Sequence, residues 1–427
     1  MKDEIREEIL EAIKGFESIV DAHEHLPPEK ERLSLTPDVC FLFAHYLTGT
    51  LAAAGFSVDG SKPMNRGQVR EFLLDTSKPV EERFEVLYRY LPYVRHSSYA
   101  RAMWIALKEI YGYDDITPQN YLEITEKMRE MNRPGIYEEV LVKKGRIKFA
   151  LTQAGRTDYE NPFMVPVLPM GYLTQFPRGR RDVEERGAKL GMTINTLDDY
   201  IEYCGERIRR WRDEERVVGL KTVSVPYREA PSDSEARGLF AKLMGHGRLE
   251  GGESAALEAY LRDKVLEICG REGFVVAVHS GVWDDFRNLD PRHSIPLFIR
   301  FPDTKFDLYH MGMPWVRDVV FIGGNWHNVY INWCWSHIVS YYMAQSGILE
   351  YLDYVPVNKI IAFGGDYSAP CLEKVIGHLR MAQENIATAL ARAVRDGRMS
   401  VDQAIEAARM WFWDNPVRIY DLNRLAS

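Results

Sequence analysis

No uninterrupted apolar run in the 427 residues approaches the roughly 18 that a membrane-spanning helix needs. The first residues, Met1-Lys2-Asp3-Glu4-Ile5-Arg6, are charged and read as helix rather than as a signal peptide. Cysteine is scarce. Cys40, Cys204, Cys269, Cys334 and Cys371 make an odd count with no Cys-x-x-Cys pair, which argues against both a disulfide framework and a thiolate zinc site. Long basic runs are missing as well, and the net charge is −8. Such a chain has no evident attraction to nucleic acid or to an anionic membrane surface. The expected location is the cytoplasm, and the expected partner is a small-molecule substrate. Short internal repeats and low-complexity segments are also absent.

What is there is a large apolar fraction, 46% of residues, in a regular alternation of strand-length and helix-length patterns. Eight strand candidates stand out: Ser18–His23, Ile147–Gln153, Phe163–Leu168, Val217–Val225, Phe274–His279, Lys305–His310, Asn328–Trp333 and Lys359–Gly364. Most are nearly continuous apolar runs, as strands buried on both faces should be. Helical patterns such as Leu197–Arg212, Ser254–Arg271 and Leu372–Arg395 follow them. Eight β/α units predict an α/β fold of the (β/α)8 TIM-barrel type rather than an open sheet. More than a hundred residues separate the first two strands and carry helical pattern: Val39–Ala54, Val80–Tyr90, Tyr99–Tyr111 and Pro118–Met131. Insertions after a barrel strand lie on the C-terminal, catalytic face. The expected organisation is therefore a barrel of residues 1–25 and 136–427, with residues 26–135 as a helical insertion capping that face.

The chemistry is concentrated at strand ends. Val20-Asp21-Ala22-His23-Glu24-His25 closes the first strand. Residues two apart share a face, so His23 and His25 point the same way and offer two imidazoles from one rigid element. His279 closes Phe274–His279 before a Ser-Gly turn, and His310 closes Lys305–His310 before Met311-Gly312. Asp366 follows the last strand after Gly364-Gly365. Singly, each has an ordinary structural reading: a satisfied polar histidine, or an aspartate capping a helix that begins near Pro370. Jointly, four strands ending in His, His, His or Asp, one of them carrying His-x-His, point to a divalent-metal site at this ring of strand ends.

This grammar resembles the amidohydrolase superfamily. In pattern it is similar to the amidohydrolase-related branch and to the N-terminal half of fungal and plant glutamine-synthetase-like fusion proteins. The likeness extends to Tyr99-Ala100-Arg101-Ala102 and to Asn415-Pro416-Val417-Arg418-Ile419-Tyr420. Members are mostly metal-dependent hydrolases; some are decarboxylases, and one group isomerises uronic acids. The resemblance implies that His23, His25, His279 and Asp366 hold the metal. It implies that His310 binds a second metal or polarises a substrate carbonyl, and that Asp366 shuttles the proton of the attacking water. A divalent cation brings the pKa of bound water down to roughly 7 and polarises carbonyls, which suits cleavage of an amide, ester or lactone. Zinc is the expected ion, with Mn, Fe or Ni compatible with the same ligands, and one metal is favoured over two.

Lys221, on the fourth strand, matches the position of the carbamylated lysine of two-metal members. The alternative is a lysine paired with a carboxylate such as Asp21, and that reading is preferred because Lys221 lies deeper than the strand end. Trp283, Asp284 and Arg287 follow His279, and Trp315 and Arg317 follow His310. These loops would line the site, and an arginine there could grip a substrate carboxylate; helix capping or surface pairing is an equal alternative. Trp326, Trp333 and Trp335 cluster around the seventh strand, where a core role is the safer reading. In the insertion, Arg95, His96, Tyr99, Arg101 and Trp104 could close over substrate. The alternatives to hydrolysis are uronate isomerisation, metal-assisted decarboxylation and a non-catalytic barrel. The large insertion favours isomerisation, whereas His45-Tyr46 without a downstream Trp-Arg pair argues against it. A homo-oligomer is expected.

Overall fold

A computed structural model describes residues 3–283 and 285–425; Asp284 lies outside the described residues. All eight expected strands form. They are β1 (Ile19–Glu24), β2 (Ile147–Thr152), β3 (Met164–Pro169), β4 (Gly219–Val223), β5 (Val275–His279), β6 (Lys305–Tyr309), β7 (Val329–Asn332) and β8 (Ile360–Ile361). They follow one another in chain order in one eight-stranded sheet, with parallel pairing, which is the (β/α)8 barrel arrangement. Every residue of β1 is buried, and so is all of β5 except His279 at its end. The apolar runs that marked these strands therefore reflect two covered faces.

Two compact units make up the chain. The first extends to Met164 and takes back Trp333–Asp353 and Ile361–Asn415; the second holds Val165–Asn332, Tyr354–Ile360 and the chain from Pro416 onward. In the first unit, β1 pairs with β2, and Ala22 N–H donates to Phe363 O on the run that leaves β8. The ladder of β8 is shorter than expected. Beyond Ile361 the backbone serves loops instead, with Gly364 O accepting from Trp335 N–H. In the second unit, β4 to β7 pair in register, with Lys221 opposite Ala277, Ala277 opposite Asp307, and Val223 opposite His279.

The long connection between β1 and β2 is helical, as its pattern predicted, and belongs to the first unit. Its main helices are Arg66–Leu74, Val80–Val94, Ser98–Ala106 and Tyr121–Met131. Local chemistry sets their starts. Asn65 and Gln68 form a reciprocal capping box, and Ser97 accepts from Ala100 N–H. The expected helix over 39–54 is broken in two, because His45 adopts a left-handed backbone (φ 82°) between Val39–Phe43 and Leu47–Ala53. All five cysteines are buried and free. Among the described residues no helix is long and apolar enough to cross a membrane.

Candidate metal centre

In the first unit, His23 and His25 on and just after β1 meet Asp366. Asp366 Oδ1 lies 3.2 Å from His23 Nε2 and 3.3 Å from His25 Nε2. The three residues offer ligand atoms that all lie within 4.8 Å of one another. His23 and Asp366 are buried, while the His25 side chain is 44% exposed, so one edge of the group faces solvent. Two imidazole nitrogens and a carboxylate oxygen are a donor set that fits a divalent cation, and three protein ligands leave room for a further one.

The approach of β8 to β1 depends on the glycines. A Cβ on Gly364 would lie 2.8 Å from both the Cβ and the backbone N of His23, and one on Gly365 would lie 1.9 Å from Glu24 Oε1. Asp366 itself has φ 61°, a left-handed backbone that L residues seldom adopt. Tyr46, from the insertion, donates its hydroxyl to Asp366 O at 2.6 Å. Its ring stacks on Tyr99 and on Trp335, with centroids 5.3 and 4.9 Å apart. His45 packs against Tyr46 at 4.0 Å, and burial together with the charge of Lys374 keeps its imidazole neutral.

Behind the ligands lie two fully buried carboxyls, Asp21 and Glu24. Their inner oxygens, Asp21 Oδ2 and Glu24 Oε1, face no N–H or O–H donor among the described residues. Burial lifts Asp21 to about 6, and burial with the charge of Asp21 lifts Glu24 well above the usual carboxylate range. One proton held between them is the arrangement that satisfies both.

The other strand-end histidines pair in the second unit. His310 Nε2 lies 3.0 Å from His279 Nδ1, so one imidazole donates to the other. His310 is fully buried and, with Met311, forms a left-handed turn after β6. Lys221, expected to pair with a carboxylate such as Asp21, lies within the influence of a buried acid of the second unit. The carboxylate that feels its charge is Asp307, and its ammonium lies 4.1 Å over the Tyr309 ring. Asp21 instead accepts from His23 N–H and Gly365 N–H.

The loop residues occupy more open positions. Trp283 is exposed, Arg287 is paired with Asp285 on its own loop, Trp315 packs edge-on against Phe286, and Arg317 is exposed on the helix Val316–Asn325. In the insertion, Arg95 pairs with Asp115 and lies over Trp104, and Arg101 pairs with Glu384. Tyr99 is the member of that stretch that reaches the Tyr46 cluster. Trp333 is core, packed on Trp411 and Tyr351. Sequence reasoning missed Tyr46, Asp21 and Glu24 as neighbours of Asp366, and His378, which donates from Nδ1 to Gly365 O next to it. The available signal was acids flanking His23 and a Gly-Gly pair before Asp366.

A barrel with such a centre is an enzyme scaffold of the amidohydrolase type, and the comparisons agree. The family model described as Amidohydrolase matches residues 180–422, more than half of the chain, and the chain belongs to that family. Its fold is similar to that of uronate isomerase from Thermotoga maritima (15% identity, 98% of this chain and 97% of that one, TM-score 0.77). It is also similar to glucuronate isomerase from Caulobacter crescentus (15% identity, 98% and 94%, TM-score 0.74). Protein fluG of Emericella nidulans is 26% identical over 151 residues, which are 34% of this chain and only 17% of that protein.

Proposed function

We propose that the chain is a one-metal hydrolase that cleaves an amide, ester or lactone bond in a small polar substrate. The observation that carries this reading is the convergence of His23, His25 and Asp366 on one point. The bound ion would acidify a water and polarise the scissile carbonyl. Asp366 is the carboxylate placed to accept the proton and return it to the leaving group. His279 completes the ligand set, and His310, within hydrogen-bond distance of it, polarises the scissile carbonyl. The insertion acts as a cap that brings Tyr46, Tyr99 and His45 over this chemistry. Lys221, whose charge acts on Asp307 and whose ammonium lies over the Tyr309 ring, is read as a paired lysine rather than a bridging carbamate. Trp283, Arg287, Trp315 and Arg317 form the outer rim for substrate, and the working unit is a homo-oligomer.

Uronate isomerisation is the second reading, supported by the full-length likeness to two such isomerases, insertion included. Two features weigh against it: the Trp-Arg pair is missing after His45-Tyr46, and the Tyr46 hydroxyl is already engaged by Asp366 O. The test has two stages. Metal analysis of purified protein should find one divalent ion per chain, and finding none would end both readings. A panel of N-acyl amino acids, esters and lactones is then run beside hexuronates. Turnover of a hydrolysable substrate supports the proposal, whereas ketose formation from hexuronates without hydrolysis would replace it with the isomerase.

A further inference from the structure

The short run Gly365-Asp366-Tyr367 belongs to no helix or ladder, yet none of its backbone polar groups is left over. Gly365 N–H donates to Asp21 Oδ1 at 3.0 Å, and Gly365 O accepts from His378 Nδ1 at 3.1 Å. Asp366 N–H donates to His23 O at 2.8 Å, and Asp366 O accepts from the Tyr46 hydroxyl at 2.6 Å. Tyr367 N–H donates to Glu24 Oε2 at 2.7 Å, and Tyr367 O accepts from His25 N–H at 3.1 Å. All six groups are held from outside the run. Two are held by the backbone of the histidines that offer the imidazoles, and four by side chains from β1, the insertion and the helix Lys374–Arg395.

This pattern has a physical purpose. A left-handed aspartate between a glycine and a tyrosine is a costly backbone state, and such a state persists where its surroundings over-determine it. The same contacts fix where the carboxylate points. Asp366 N–H and Tyr367 O are tied to His23 and His25, so the carboxylate is registered to the very strand that carries the two imidazoles. Nothing about hydrolysis requires Asp21, Glu24, Tyr46 or His378 to touch substrate, and three of the four are too deeply enclosed to do so. Asp21, Glu24 and His378 are each fully buried, and His378, held neutral by burial, has its Nδ1–H committed to Gly365 O.

We propose that Asp21, Glu24, Tyr46 and His378 are positioning residues that clamp the Gly365–Tyr367 backbone and fix Asp366 between His23 and His25. The inference deepens the metal-site reading and rests on it for its consequence, but the clamp itself is made by the chain's own groups. The clamp predicts that removing one tether loosens the run and weakens the site, as loss of outer-shell partners does in metal proteins, by about 10- to 100-fold in affinity.

The experiment has two arms on the full chain, wild type beside Glu24→Ala, Glu24→Gln and Tyr46→Phe. The first arm is hydrogen–deuterium exchange of metal-stripped protein, read on peptides covering residues 365–367. The second is titration with Co2+ alone, followed by its visible absorption, which reports both affinity and coordination geometry. Slow exchange is expected in wild type. Glu24→Ala should exchange at least about 10-fold faster over the run and lose about 10- to 100-fold in Co2+ affinity. Glu24→Gln, which keeps an acceptor for Tyr367 N–H, should recover most of both. Tyr46→Phe removes a single hydroxyl and should show a smaller change in the same direction. Unchanged exchange and unchanged Co2+ affinity in a folded Glu24→Ala protein would overturn the clamp. If Glu24→Ala does not fold, the same pair of null results in Tyr46→Phe would overturn it. Failure of wild type to bind Co2+ would instead sink the metal-site reading, and the exchange arm would still decide the clamp.

Discussion

Replacing Asp307 by asparagine should remove a pH-dependent loss of stability. The Asp307 side chain is fully buried on β6. Its Oδ2 accepts from the Tyr420 hydroxyl at 2.6 Å and from Asn332 Nδ2 at 2.9 Å, while Oδ1 has no hydrogen-bond donor among the described residues. Burial dominates and pushes the carboxyl up to about 7, against the pull of those two donors and of the Lys221 charge. In the unfolded chain the same group titrates near 3.9. The folded state therefore keeps a proton that the unfolded state has already released. The associated stability is complete below about pH 4, is lost progressively as pH rises towards 7, and changes no further above that. A displacement of about three units corresponds to on the order of 4 kcal/mol in total. Some 3 kcal/mol of this falls between pH 5 and pH 8. Unfolding entropy of about 2.1 cal/mol/K per residue gives roughly 0.9 kcal/mol/K for a chain of this length, so the span is worth about 3 °C in Tm. The assay is scanning calorimetry of metal-stripped wild type and Asp307→Asn at pH 5, 6, 7 and 8, which keeps the pH dependence of metal binding out of the comparison. The Tm of the variant minus that of wild type should increase by about 3 °C across the series. A constant difference would refute the assignment of this proton to Asp307.

Three further outcomes follow from the geometry. His25→Ala removes one of three converging donors, and elemental analysis after gel filtration should find the bound metal lost to well under half an equivalent while circular dichroism stays unchanged. Lys221→Met should leave the metal content at one ion per chain, since the lysine's charge acts on Asp307 and its ammonium lies over Tyr309; a fall from two ions to one would restore the carbamate reading. Arg32→Met breaks a fully buried ion pair with Glu373, to which Tyr111 also donates. Stranding that carboxylate should cost about 3–5 kcal/mol, measured as a lowered Tm that Arg32→Met with Glu373→Gln partly recovers.

The barrel was legible because burial on both faces writes a continuous apolar run, as in Phe274–His279, and because each run stops at a polar residue. The positions of His23, His25 and Asp366 could be read for the same reason: they sit where a strand must end. Other features are not local and could not be read. β8 shows six apolar or small residues but keeps only Ile360–Ile361 in its ladder, because Trp335 and His23 claim the backbone beyond. The break at His45 depends on a left-handed backbone that composition does not announce. Asp21 was read only as a possible partner for Lys221 and Glu24 drew no reading, and only the arrival of Gly365 and Tyr367, more than three hundred residues later, makes them hydrogen-bond acceptors. For Lys221 the reading reached the class of partner and not the residue: periodicity assigns a face, whereas the carboxyl that feels its charge is Asp307, one strand beyond the β5 run that Lys221 faces.

The three converging donors are far apart in the chain, 341 positions from His25 to Asp366. A ribosome adding about 5–20 residues per second takes roughly 17–70 s to cover that interval. For most of it the imidazoles are outside the exit tunnel and their carboxylate does not yet exist. If the three hold the proposed ion, the complete site is therefore a late event in the synthesis of each molecule.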